Sequence, residues 1–192
     1  MNKRILTLVA GAAFAVAGAG CESEAPPSNP TLYNDRAQIA LQQMEQTDSG
    51  LQGALNNAYG YVLFPEVGKA AVGIGGANGR GVVYEQGRQV GYATLSQGSV
   101  GVQLGGETYA ELIVFKTSDS MAAFRNGDLT LGADASATLV KAGAAAALQF
   151  NHGTAIIVQP KGGLMAGVSI NGQTIHFVHD ETGGTSNVNS GT

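Results

Sequence analysis

Three basic side chains stand where the sequence is rich in glycine and almost free of other charge. They are Lys69 in Val67-Gly-Lys-Ala-Ala-Val-Gly-Ile-Gly-Gly76, Arg80 in Gly79-Arg-Gly81, and Lys161 followed by Gly162 and Gly163. Glycine leaves main-chain amides accessible, and an ammonium or guanidinium beside them adds a charge, so such spots suit a phosphate-bearing or other anionic lipid ligand. A long cation in apolar surroundings also commonly lies along the rim of a buried strand with its head in water. Lys69, the only charge between Val67 and Asn78, fits both descriptions, and the rim is the commoner one.

Residue types that could do covalent chemistry are present without the spacing that chemistry needs. Ser99 sits in Gln97-Gly-Ser-Val-Gly101, where a nucleophile elbow requires glycine at the position of Gln97. The run Gly73-Ile-Gly-Gly-Ala-Asn78 ends in Asn where a dinucleotide-binding loop requires its last glycine. His176 and His179, three apart in a strand pattern, point to opposite faces and make a poor metal pair even with Asp180 and Glu181 nearby. His152 in Asn-His-Gly153 suits a turn. The expectation is a non-catalytic protein with no metal site and no cofactor.

Cys21 is the one cysteine of the 192 residues, so it has no partner for an internal disulfide. It follows Asn2-Lys-Arg4 and an apolar run from Ile5 to Gly20, the charged and apolar regions of an export signal, too short for a span of about 20 apolar residues. Two cleavage sites compete. Gly18-Ala-Gly-Cys21 resembles a lipobox, with Gly18 where bacterial lipoproteins usually carry Leu, and Ala17-Gly-Ala19 suits ordinary signal peptidase. The first, which is favoured, predicts a chain anchored in the cell envelope through acylated Cys21; the second predicts a secreted or periplasmic one.

Losing Lys3 and Arg4 with the leader leaves 8 basic residues (10 less 2) against 14 acidic, a net charge of −6 that argues against nucleic acid. Between Tyr59 and His179 seven basic residues balance seven acidic ones, so the excess acid lies in the flanks.

The elements that must position these residues are mostly strands. Residues 1–20 form the leader, and 21–30, polar and proline-rich, an extended or disordered tether. Residues 31–179 form one domain, and 180–192 a tail with little to bury. Ala37, Ile39, Ala40, Leu41 and Met44 predict a helix from Asn34 or Asp35, and Asp48-Ser49 caps a second carrying Leu51, Leu55, Ala58 and Tyr59. Gly105-Gly106 and Asn171-Gly172 sit in two similar segments, 101–109 and 167–175, that read as tight hairpins, with a looser hairpin over Gly81–Tyr92. Ser118–Asn126, stopped by Gly127, predicts one inserted helix. The fold class is therefore α+β, mainly antiparallel β, with glycine-rich hairpins forming a barrel or sandwich.

Four ordered blocks carry a family resemblance: Phe64–Val82, Gly98–Glu107, Leu131-Gly-Ala-Asp134 and Lys161–Ile170. Together they resemble the SYLF domain family. The resemblance implies a lipid-binding module: eukaryotic members bind phosphoinositide membranes and some associate with actin, whereas many bacterial members are exported lipoproteins. It implies membrane phospholipid as the partner here, with an envelope protein as a second possibility and actin not expected. By position Lys69 and Lys161 match basic residues of the first and last blocks, and Gly162 to Gly167 match the final glycine-rich block. The family's Gly-Pro turn after the third block is absent from Ala135–Ala147. The charge-neutral domain also lacks a polybasic cluster, which favours weak or largely apolar lipid contact.

Overall fold

The computed structural model describes residues 27–132, 135–163 and 170–180. The calls on Cys21, the leader, the glycine-rich block from Leu164 to Gly167, the first residues of the 167–175 hairpin and the tail beyond 180 lie outside them. Helix α1, Pro30–Thr47, begins four residues before the expected Asn34. Its start is set by Asn29, whose side chain accepts from the Leu32 amide at 3.1 Å, with Pro30 in the first turn where its missing N–H costs nothing. Helix α2 is a short Leu51–Asn56, and Tyr59 lies beyond it.

Two very long strands follow, β1 (Gly60–Glu85) and β2 (Arg88–Phe115), paired antiparallel from Gly60 opposite Phe115 to Glu85 opposite Arg88. Gln86 and Gly87 join them at φ 49° and 75°, the two left-handed residues that a tight hairpin turn demands. The expected hairpin at Gly81–Tyr92 is thus present, but the one at Gly105-Gly106 is not. There the chain stays extended, with Gly105 and Gly106 paired to Ala71 and Ala70, and only Gly105 has positive φ.

Helix α3, Ser118–Asn126, is capped by Thr117, whose hydroxyl accepts from the Ser120 amide while Ser120 reaches back to the Thr117 amide. Short β3 (Leu129–Thr130) and β4 (Ala137–Leu139), a 3-10 turn at Ala145–Ala147, then β5 (Thr154–Gly163) and β6 (Gln173–His179) complete the chain. The Asn171-Gly172 turn precedes β6, with Gly172 at φ 79°.

Strand β2 is the spine. On one side it carries β1 throughout; on the other, residues 91–97 pair with β6 and residues 107–115 with β5. The hairpin also doubles back: a Cβ on Gly79 would lie 3.1 Å from the Glu66 carbonyl oxygen, and one on Gly60 2.7 Å from that of Tyr84. The two halves of β1 therefore run alongside each other, and the six strands among the described residues form a curled half-barrel, confirming the α+β, mainly antiparallel expectation. Its ends are β3, paired to β6, and β4, parallel to β5.

Curling creates two cores. The concave side is filled by Val62, Phe64, Tyr109, Ile113, Phe115 and Ile175, and closed by Met121 and Phe124 of α3, whose Phe124 ring stacks on Phe115 at 5.2 Å. The convex side packs Leu63, Leu112, Val114 and Ile157 against Ala37, Ala40 and Met44 of α1 and Leu51 of α2. Alternation along β2 assigns odd-numbered residues from 107 to 115 to the inside and even ones from 110 to 114 to the helices. Asp48 ties the convex layer together, accepting from the amides of Gly50 (3.1 Å), Gly143 (3.2 Å) and Ala145 (2.6 Å).

Candidate functional site

Two sets of groups stand out as candidate sites. The first is a line of buried polar side chains on the concave face. Lys69, Glu107, Gln97, Gln173 and Glu111 are all at most 8% exposed, in a layer that is otherwise apolar. Gln173 Nε2 donates to Tyr109 Oη at 3.0 Å and to Glu111 Oε2 at 3.1 Å. Gln97 Nε2 donates to the Asn171 carbonyl at 2.7 Å, fastening the turn before β6 to β2.

Burial governs the titration of this line, because removing a carboxylate from water disfavours its charge. Glu111, wholly enclosed, is pushed up to about 8, with the Gln173 hydrogen bond opposing. Glu107 is raised by burial too, less so because the Lys69 ammonium nearby pulls it down. At neutral pH Glu111 is therefore largely protonated.

The second is a cleft of about 300 Å³ between the sheet's ends. Leu131 and Ile156 form its floor and belong to the concave core, while Thr130, Ser136, Gln149, Asn151 and His152 form a polar rim. His152 adopts φ 48°, the turn conformation expected of it, and the Lys116 amide donates to the neighbouring Gly153 carbonyl. Beside the rim Phe150 is exposed, with Lys116 Nζ 5.4 Å from its ring centre, and Leu139 on β4 is 53% exposed.

The residues expected from sequence fall in three places. Lys69, Glu107 and Gly163 are neighbours across β1, β2 and β5. Lys69 is 4% exposed, so it is neither at the rim nor presented to solvent. Lys161 and Gly162 are exposed, and Lys161 borders a groove with Gln43 and Thr47 of α1. Arg80 lines a separate hollow of about 200 Å³ with Arg36, Tyr33 and Gly68. His176 Nδ1 pairs with Asp128 at 2.5 Å, and the His179 ring meets Phe177 edge-on.

Sequence reasoning missed Glu111 and Gln173. Glu111 opens an apolar strand run, and the signal that marks it is a lone carboxylate at an inward position of the alternation. The cleft could not be foreseen, since it depends on which strands end the sheet.

Comparison with known families adds one match. Residues 96–184 match the family described as Ysc84: Las17-binding protein actin regulator. This match agrees with the SYLF resemblance carried by the sequence blocks. The match takes in most of β2 and everything to the end of β6, including Lys161, Gly162, Gly163, Glu107 and Glu111, and leaves β1 with Lys69 and Arg80 outside. Because β1 pairs with β2 along its whole length, the folded unit extends beyond the matched stretch. No curated protein matches the chain.

Proposed function

We propose that this protein is an envelope lipoprotein, anchored through acylated Cys21, whose SYLF-type domain binds membrane phospholipid without catalysing a reaction. The observation that carries this reading is the cleft at the sheet's ends, apolar in its floor and polar at its rim, with Phe150, Leu139 and Lys116 exposed beside it. Rings and aliphatic groups next to a cation are the combination that settles at a lipid–water boundary. The Ysc84 match supports a lipid-binding or actin-regulator-like module. Lys161 with Gly162 supplies a second exposed contact for an anionic headgroup.

The rival reading, a protein-interaction module held at the membrane, would use a free sheet edge. The two ends of the sheet are strands of two and three residues, which offer few backbone groups to a partner strand.

Liposome sedimentation tests the proposal. A chain starting at Pro27, which keeps the Asn29 cap, co-sediments with anionic vesicles, less so as salt rises. Phe150→Ser with Lys116→Glu, and separately Lys161→Glu, reduce pelleting. A folded chain that stays in the supernatant at low salt across several compositions refutes lipid contact by the domain. For the anchor, Cys21→Ser protein moves from membrane pellet to soluble fraction, and retention in the pellet counts against acylation.

A further inference from the structure

A second hollow lies on the opposite layer, away from the lipid reading and independent of it. It occupies about 460 Å³ between α1, α2 and the turn joining β1 to β2. Its walls include Leu41 and Glu45 of α1, Gln52 of α2, Tyr59 just before β1 and Tyr61 within it. Glu45 is the only charged side chain among the described lining residues.

Of the two tyrosines, Tyr59 packs its ring against the concave core on the other face of the sheet, and Tyr61 belongs to the layer that holds the hollow. Tyr59 hydrogen-bonds through its hydroxyl to Glu85, a carboxylate that Arg125 Nη1 also holds at 2.6 Å. Tyr61 stacks on Tyr84 with centroids 4.8 Å apart and planes 20° from parallel, which leaves its other face uncovered by that partner. Burial, with smaller contributions from Tyr84 and Glu45, pushes the Tyr61 hydroxyl up to about 12, so it stays neutral. Glu45, half-buried on α1, close enough to act on Tyr61, has no ion pair among the described residues.

We propose that this hollow binds a small organic cation, a primary or quaternary ammonium compound, between the Tyr61 ring and the Glu45 carboxylate. Ring faces attract a cation through their quadrupole, a carboxylate supplies the counter-charge, and Leu41 accepts the ligand's carbon. A bare divalent metal does not suit the hollow, because it needs several oxygen ligands and only one carboxylate is present. Gln52 and the neighbouring Asn56 provide amide groups for a hydroxyl or a second nitrogen on the ligand.

The test is calorimetric titration of the full chain in maltoside micelles with choline and, in parallel, spermidine. A neutral arm uses 3,3-dimethyl-1-butanol, which has choline's shape without its charge. Saturable binding of at least one cation is expected, with the neutral compound at least tenfold weaker. Glu45→Gln, which keeps the side chain's shape on the helix surface, weakens binding about tenfold, and Tyr61→Leu weakens it further. Circular dichroism melts confirm that each variant is folded, and should Tyr61→Leu fail to fold, Glu45→Gln alone decides. No saturable binding of either cation at tens of millimolar overturns the proposal, as does equal binding of the neutral compound or an unchanged affinity in Glu45→Gln.

Discussion

Gly81 lies against Phe64 so closely that a Cβ at position 81 would sit 2.8 Å from Cδ1 of the ring and 2.9 Å from the Leu63 carbonyl oxygen. This contact joins the two halves of β1 and gives the half-barrel its curl. The backbone oxygen is fixed by the sheet, so the ring and strand must separate to admit a side chain. Gly81→Ala is expected to cost on the order of 1–3 kcal/mol, the range for overpacking a core, and Gly81→Val more. Urea denaturation measures it; a midpoint within error of wild type would show that the two halves are not in close contact.

Glu111 makes stability depend on pH. Its pKa is raised in the folded state to about 8 from an ordinary 4.5, so between these values the native protein holds a proton that the unfolded chain has lost. Stability is present in full below about pH 4.5 and falls as pH rises toward 8, by up to about 1.4 kcal/mol per unit. Glu111→Gln removes this dependence. Denaturant midpoints at pH 5, 6, 7 and 8 should show the variant gaining on wild type at each step; parallel profiles would contradict a buried, protonated Glu111.

Asp48 acts in the opposite direction. The Ala145 amide leads the hydrogen bonds that hold its carboxyl below the usual 3.8 against a smaller desolvation effect, so its contribution is present above that value and is lost as pH falls through the lower folded pKa. Asp48→Ala strands three amide donors in the convex layer and is expected to cost on the order of 3 kcal/mol at pH 7. The advantage of wild type over Asp48→Ala should narrow at the acid end of a pH series.

Lys69→Glu places a second buried carboxylate beside Glu107. Leaving an uncompensated charge inside is expected to destabilise by about 3 kcal/mol or more. Thermal melts check this, and a normally folded Lys69→Glu protein would mean that the residue is accessible after all. Loss of vesicle binding in that variant alone would therefore report unfolding, whereas the exposed Lys161→Glu reports lipid contact.

Local signals were legible where the cause is local. Thr117 and Ser120 announce α3, and Val and Ile alternation announces strands. What stayed hidden was set by distant partners. Gly105-Gly106 looks like a turn in isolation, yet Ala70 and Ala71 hold it extended from over 30 residues away. Lys69 looks like a rim residue for the same reason: its burial is set by the tertiary packing of the sheet and not by its neighbours in sequence. Glu111 shows that an inward position can be found from period two, but not that Gln173, far along the chain, will meet it.

The spine position of β2 has a consequence for how the chain acquires its structure. Thr94 on β2 pairs with His176, 82 positions further on, and Phe115 pairs with both Gly60 and Thr154. Few of these pairings are local, and closing such long loops before any contact rewards them makes folding slow. A growing chain that has released β1 and β2 holds a lone hairpin with one open side until β5 and β6 arrive, and a two-stranded ribbon is barely stable by itself. Folding therefore waits for the carboxy-terminal strands, and the polypeptide stays largely unfolded until nearly all of it has been made.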